Sequence, residues 1–213
     1  METEQIKVLL VDDHTVARNG VRLMLSAASD IRVDGEAGTA PDALQIVKTQ
    51  HFDVALVDIA LPGKNGLDLL KSLRADHPGL AVLILSTYSE EIYAMRALKL
   101  GASGYLTKDS PTTTLIEAVR KAATGAKYVS PSLAERFAVM LGGRTAASHE
   151  ALSNRELEVL KLIAKGESLI GIGELLHLSP KTVTTYRARI FDKLGIGSNA
   201  ELARYAVEHG LLV

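Results

Sequence analysis

Five polar residues stand at the ends of apolar runs, and their types suit one kind of chemistry. Asp12 and Asp13 follow Val8 to Val11, Asp58 follows Val54 to Val57, Ser86 follows Val82 to Leu85, and Lys108 follows Tyr105-Leu106-Thr107. Three carboxylates brought together repel one another unless a cation neutralises them, and an all-oxygen donor set suits a hard ion such as Mg2+ held with several waters. A phosphoryl group arriving at Asp58 would bridge to that ion, and Lys108 would supply a second positive charge. Positioning and charge neutralisation are most of what phosphoryl transfer requires. Asp58 would be the nucleophile, forming an acyl phosphate. The plain alternative is a set of ordinary strand-end residues in solvent, and five matched groups argue against it. His14, beside the acidic pair, reads as a helix-start residue without direct ligation.

These groups meet only if the runs that carry them lie parallel in one sheet. Apolar runs over 6–11, 31–37, 54–57, 81–85 and 104–107 alternate with amphipathic stretches over 15–27, 41–49, 66–76, 90–100 and 111–124. Five strand-helix units in series predict an α/β domain: a five-stranded, doubly wound parallel sheet with helices on both faces. Ligand chemistry in such sheets sits at the carboxyl ends of the strands, near the point where strand order reverses. Pro62 and Gly66 turn the chain away after Asp58, leaving its carboxylate displayed.

Composition bounds the rest. The 213 residues include no Cys and no Trp, which excludes disulfides, thiolate metal sites and cysteine nucleophiles. No apolar run approaches the roughly 18 residues of a membrane span, and Met-Glu-Thr-Glu at the start lacks the features of a signal peptide, so a cytoplasmic protein is expected. Net charge is -2 over residues 1–127, zero over 128–150 and +1 over 151–213. That asymmetry permits nucleic-acid binding by the C-terminal part without arguing for it. Three segments follow: 1–127, a linker over 128–150 with a short helix from Ser130 to Leu141 and a tether after it, and an all-α second domain over 151–213.

Residues 151–213 carry no strand pattern. Ser153 and Glu156 form a capping box, with Leu152 stapled to Leu157. A shorter helix covers about 170–176; Ser179 and Pro180 then start another that runs to Leu194 and stops at Gly195. Two helices joined by a tight turn make a helix-turn-helix signature. On a wheel of about 100° per residue, Val183, Tyr186, Ile190 and Leu194 share one side of the second helix. Lys181, Thr184, Thr185, Ala188 and Arg189 lie opposite, with Arg187 at the margin. The small residues let the helix enter a major groove, while Lys181, Arg187, Arg189 and Lys193 can reach phosphates or base edges. Four basic residues alone would also suit a solvated face.

Residues 6–127 resemble a two-component receiver domain in the acidic pair Asp12-Asp13, Asp58 followed by Pro62 and Gly66, the hydroxyl at Ser86, and Tyr105 three residues before Lys108. The resemblance implies a flavodoxin-like fold in which Asp58 accepts a phosphoryl group from a histidine kinase. It also implies that Asp13, Asp58 and the carbonyl of Ala60 ligate Mg2+, with Asp12 acting through water. Ser86 and Tyr105 would form the switch, the hydroxyl moving to the phosphoryl oxygen and the ring turning inward. A buried core aromatic with its hydroxyl at the surface is the alternative for Tyr105. Ser at 86 replaces the commoner Thr, and Thr87 a small residue, which bears on phosphoryl lifetime.

Leu152 to Leu160, Ile163 to Gly166, Leu178-Ser-Pro-Lys-Thr-Val183, Tyr186-Arg187 and Lys193-Leu-Gly-Ile196 together resemble the LuxR-type helix-turn-helix of the NarL/FixJ response regulators. Ser179 to Ile190 is most similar to the branch containing the GacA and UvrY regulators. By that likeness Lys181, Thr184, Thr185, Ala188 and Arg189 face double-stranded DNA, and a homodimer is expected because one short helix reads few base pairs. Where the family has a polar start to the scaffold helix, this chain has Leu169-Ile170-Gly171, and Gly173 replaces a usual Ala. Helical glycines cost about 1 kcal/mol relative to Ala, which predicts a looser helix. The lost polar start predicts one phosphate contact missing, and exposed Leu169 and Ile170 suit either a contact with the receiver or a partner, or local repacking. The function expected is a DNA-binding transcriptional regulator, switched at Asp58 and not otherwise an enzyme. Two rival readings stay open: a phosphoryl-transfer enzyme with an aspartyl intermediate, and a receiver coupled to a protein-binding helical module.

Overall fold

A computed structural model of the chain describes residues 5–63, 65–135 and 148–212. They separate into two compact units, the first ending at 135 and the second beginning at 148.

The first unit alternates strands and helices: β1 Ile6–Val11, α1 Thr15–Leu25, β2 Ile31–Ala37, α2 Ala40–Thr49, β3 Val54–Val57, α3 Gly66–Asp76, β4 Ala81–Ser86, α4 Glu90–Lys99, β5 Gly104–Thr107 and α5 Thr112–Ala123. All strand pairs are parallel, in the order β2-β1-β3-β4-β5. The order reverses between β1 and β3, which puts the tips carrying Asp12 and Asp58 side by side. Alternation places Val8, Leu10, Val54, Leu56, Leu83, Leu85 and Leu106 on one face, packed with Val21 and Leu25 of α1 and Leu115, Ala118 and Val119 of α5. β3 and β4 are buried throughout, as strands covered on both faces must be.

Tyr128 joins this core, and its N–H donates to the Ser103 carbonyl at 2.7 Å, so the chain still packs on the first unit just past α5. Residues 131–135 are helical, and Ser132 Oγ donates to Glu90 Oε2 at 2.7 Å. The remainder of the expected linker helix, and the tether over 142–147, lie outside the described residues. Ser148–Ala151 form a 3-10 turn where the tether was expected to continue.

The second unit holds α6 Asn154–Ala164, α7 Leu169–Leu176, α8 Pro180–Leu194 and α9 Asn199–Glu208. Each has a serine at its N-cap that accepts a backbone N–H: Ser153, Ser168, Ser179 and Ser198. At α6 the reciprocal capping box is complete, with the Ser153 N–H donating to Glu156 Oε2 at 2.6 Å. Leu152, Leu157, Val159, Leu160, Ile172, Val183, Ile190 and Leu202 form the buried interior. No helix among the described residues is long and apolar enough to cross a membrane.

Candidate functional site

At the strand tips the sheet ladder runs on into the polar residues. The Asp12 N–H donates to Ala37 O (3.1 Å), that of Asp58 to Val11 O (2.8 Å), and that of Lys108 to Ser86 O (2.9 Å). Asp58 is thereby pinned while still beside the last buried residues of β1 and β3, and it is only 2% exposed. The loop after it folds back tightly. The Gly66 N–H donates to Ile59 O at 3.0 Å, and a Cβ at 66 would lie 1.9 Å from the Asp58 carbonyl oxygen, so only glycine fits. Asn65, buried, then caps α3 by accepting the Leu67 N–H at 2.7 Å.

A buried carboxylate needs partners for both oxygens. Ser86 Oγ donates to Asp58 Oδ1 at 2.8 Å, and the Ala60 N–H approaches the same oxygen at 3.3 Å. Lys108 Nζ lies 2.7 Å from Asp58 Oδ2 and 2.6 Å from Asp12 Oδ2. Burial pulls the Lys108 pKa down, but its bonds to Asp12 and Asp58 outweigh burial and leave it raised, so the ammonium stays charged. The Tyr105 ring is buried, with its hydroxyl donating to the Tyr88 carbonyl at 2.7 Å. Burial first, and the Asp58 charge second, push the phenol well above its usual range and keep it a neutral donor. The ring is inside, and the hydroxyl is spent on the loop that follows Ser86. Thr87 is exposed.

Asp12, Asp13, His14 and Asp58 each offer a ligand atom, and these atoms lie within 4.8 Å of one another. Three carboxylates against one imidazole fit a hard divalent cation. His14 is the N-cap of α1, and its backbone N–H donates to Asp12 Oδ1 at 2.8 Å. Its ring also comes within 2.8 Å of Asp13 Oδ1, which residue type alone did not signal. A second group the sequence did not announce is Arg18. It reaches from α1 to the Asp12 carbonyl and lines, with Asp12 and Asp58, a small cavity under the site.

In the second unit α8 divides as its wheel predicts. Val183 and Ile190 are fully buried, Tyr186, Arg187 and Leu194 are half-buried, and Lys181, Thr184, Thr185, Ala188 and Arg189 are exposed. Thr184 and Thr185 donate their hydroxyls to the carbonyls of Pro180 (2.9 Å) and Lys181 (3.1 Å), and Arg187 lies 5.8 Å from the Phe191 ring. Lys193 stands apart from this group, since its Nζ is 2.6 Å from Glu156 Oε2 in a bond internal to the unit. Burial alone would raise the Glu156 pKa, but Lys193 and the Ser153 cap outweigh it and hold the carboxyl below its usual range.

The scaffold helix α7 departs from expectation at one glycine. A Cβ at Gly173 would lie 2.7 Å from the Leu178 carbonyl oxygen, and the Leu178 N–H donates to Gly173 O at 2.7 Å. Gly173 is therefore the contact that closes the turn into α8, which gives a packing reason for a glycine that costs helix propensity. The turn itself passes through His177 at φ 52°. Arg155 steadies the end of α7 by donating to Leu176 O at 2.6 Å. Ile170 is exposed and Leu169 half-buried.

Comparison with known proteins bears on both units. Residues 8–120 match the model of the response regulator receiver domain, and residues 150–206 that of the bacterial regulatory proteins of the luxR family. The response regulator GacA of Pseudomonas aeruginosa is 36% identical over 209 residues, covering 97% of this chain and 98% of that one. The response regulator UvrY of Escherichia coli K12 is 35% identical over 208 residues, covering 97% and 95%. Among solved structures, RcsB from Salmonella enterica serovar Typhimurium, bound to promoter rprA in the presence of the phosphomimetic BeF3-, aligns with a TM-score of 0.68 at 25% identity, covering 94% and 98%.

Proposed function

The chain belongs to the NarL/FixJ response regulators, transcription regulators that join a receiver domain to a luxR-type DNA-binding domain, and from that premise we propose that phosphorylation of Asp58 controls how its C-terminal domain binds DNA. The observation that carries this is the convergence of Ser86 and Lys108, 28 and 50 residues further along the chain, on the two oxygens of one buried carboxylate.

The donor is a phosphohistidine on a partner kinase. An Asp58 oxygen attacks the phosphorus, the P–N bond breaks, and the imidazole leaves. Lys108 holds a positive charge beside the attacking carboxylate and the phosphoryl oxygens. Asp13, Asp58 and the Ala60 carbonyl would hold Mg2+, with Asp12 acting through water, and the ion would supply charge neutralisation there. Ser86 then exchanges its bond to Asp58 for one to a phosphoryl oxygen, and because Tyr105 is tied to the Tyr88 carbonyl, the same loop sets the face of α4 and β5. The domains are taken as 1–127, a linker over 128–150 and 151–213.

On the output side, Lys181, Thr184, Thr185, Ala188 and Arg189 form the DNA-facing surface, with Arg187 at its edge. The protein acts in the cytoplasm as a homodimer on paired half-sites, since one α8 spans few base pairs. The RcsB complex with promoter DNA supports this by analogy of architecture. A self-contained enzyme is disfavoured, because Ile59 and Ala60 provide no general acid beside Asp58. The test is to load the full chain with Mg2+ and beryllofluoride or a small acyl phosphate, then compare oligomeric state and DNA binding with Asp58→Asn. Wild type should change in both and the variant in neither; identical behaviour would overturn the proposal.

A further inference from the structure

We propose that Arg18 is a positioning residue for the cation site, acting by holding the Asp12 carbonyl and so fixing the direction in which the acidic loop presents Asp13. The inference rests on the reading of the acidic tip as a divalent cation site. Arg18 is on the first turns of α1, yet its side chain is only 16% exposed. Its guanidinium donates to three partners: the Asp12 carbonyl, Glu36 Oε2 on β2 at 3.2 Å, and Thr15 Oγ1 at 3.4 Å. A planar fork with several donors can tie a loop, a strand and a helix together in one geometry, which an ammonium cannot.

The peptide between Asp12 and Asp13 is planar, so holding its carbonyl oxygen restricts where the Asp13 Cα sits, and the His14 N–H bond to Asp12 Oδ1 at 2.8 Å limits rotation on the other side of Asp13. Asp13 needs that help. Asp12 and Asp58 are both pinned by Lys108, whereas the Asp13 carboxylate is about a third exposed and lies 2.8 Å from the still more exposed His14 ring. Charge and position pull the cation affinity in opposite directions. A lone guanidinium would repel a divalent ion; Glu36, which Arg18 shares with Arg22, offsets part of that repulsion. The positional effect therefore wins, and removal of Arg18 weakens cation binding.

Arg22 supplies the control. It bonds the other oxygen of Glu36 at 3.1 Å and Asn19 at 2.7 Å, so it shares the link between helix and strand without touching Asp12. The experiment is calorimetric titration of the full chain with Mg2+ alone, for wild type, Arg18→Gln, Arg18→Lys, Arg22→Gln and Asp13→Asn, with thermal midpoints recorded in cation-free buffer. Partners that orient metal ligands are commonly worth about tenfold or more in affinity, and Arg18→Gln should lose about that much. Arg18→Lys should recover part of it, and Arg22→Gln should stay within about twofold of wild type. Unchanged or tighter Mg2+ binding by Arg18→Gln would overturn the proposal, as would an equal loss in Arg22→Gln. A wild type that binds no Mg2+, or an Asp13→Asn that binds as wild type does, would instead overturn the cation-site reading and this inference with it.

Discussion

The strand-tip site and the exposed face of α8 both consist of charged and small polar residues, but they are built in opposite ways. At the tips, Asp12, Asp58, Ser86 and Lys108 come from four separate stretches and are sealed together, with bonds of 2.6 to 2.8 Å among them. On α8, Lys181, Thr184, Thr185, Ala188 and Arg189 sit within nine residues of one another and face solvent. A site assembled from distant strands depends on the whole domain being folded around it. A site on one helix needs only that helix to be held.

That contrast can be broken at several points. The largest effect is expected from Lys108→Ala, which leaves the Asp12 and Asp58 carboxylates facing each other. Breaking a buried pair costs about 3 kcal/mol or more, and Mg2+ should restore part of it, so added Mg2+ should raise the variant's Tm further than that of wild type. Equal Mg2+ responses in a thermal melt would mean that Lys108 is not what holds the carboxylates together. On α8 the loss should be local: Arg189→Ala should reduce DNA affinity by about 2 kcal/mol with Tm unchanged. Lys181→Ala should flatten the salt dependence of binding by a slope of about 1. A fall in Tm comparable to that of Lys108→Ala would erase the distinction between the two regions.

The smallest effect concerns Glu156, where the second unit uses a buried charge of its own. Its folded pKa is depressed, so its contribution to stability is complete above the unfolded glutamate pKa of about 4.3 and is lost as pH falls through the folded value. Wild-type Tm should therefore drop more steeply below about pH 4.3 than that of Glu156→Gln, and the variant should be less stable at neutral pH by about 1 kcal/mol. Parallel pH profiles would show that Lys193 and the Ser153 cap do not favour the ionised form.

Much of this was readable in the chain because period and punctuation coincide. Asp58 ends an uninterrupted apolar run and is followed by Pro62 and Gly66, which marks a strand tip, and the wheel through Val183, Tyr186 and Ile190 separated the two sides of α8. Strand order was not readable from periodicity, because hydrophobic alternation says that a segment is a strand and nothing about its neighbours; only the resemblance to a receiver implied it. The role of Arg18 is not legible in the sequence, since a guanidinium on an amphipathic helix has the same signature whether solvated or clamped. Lys193 looked like another basic residue of α8, and its bond to Glu156 joins positions 37 apart. Gly173 counted as a weak helix former because its contact with Leu178 depends on the path of a turn five residues on.

The return of the backbone at Gly66 has a consequence for how this lineage can change. With the Asp58 carbonyl oxygen where a methyl carbon would stand, the position is closed to every other amino acid unless the loop after Asp58 is rebuilt. If Asp58 receives the phosphoryl group as proposed, a single replacement there should silence the input with every reactive side chain intact, and a mutational scan for loss of response should score Gly66 beside Asp58 itself.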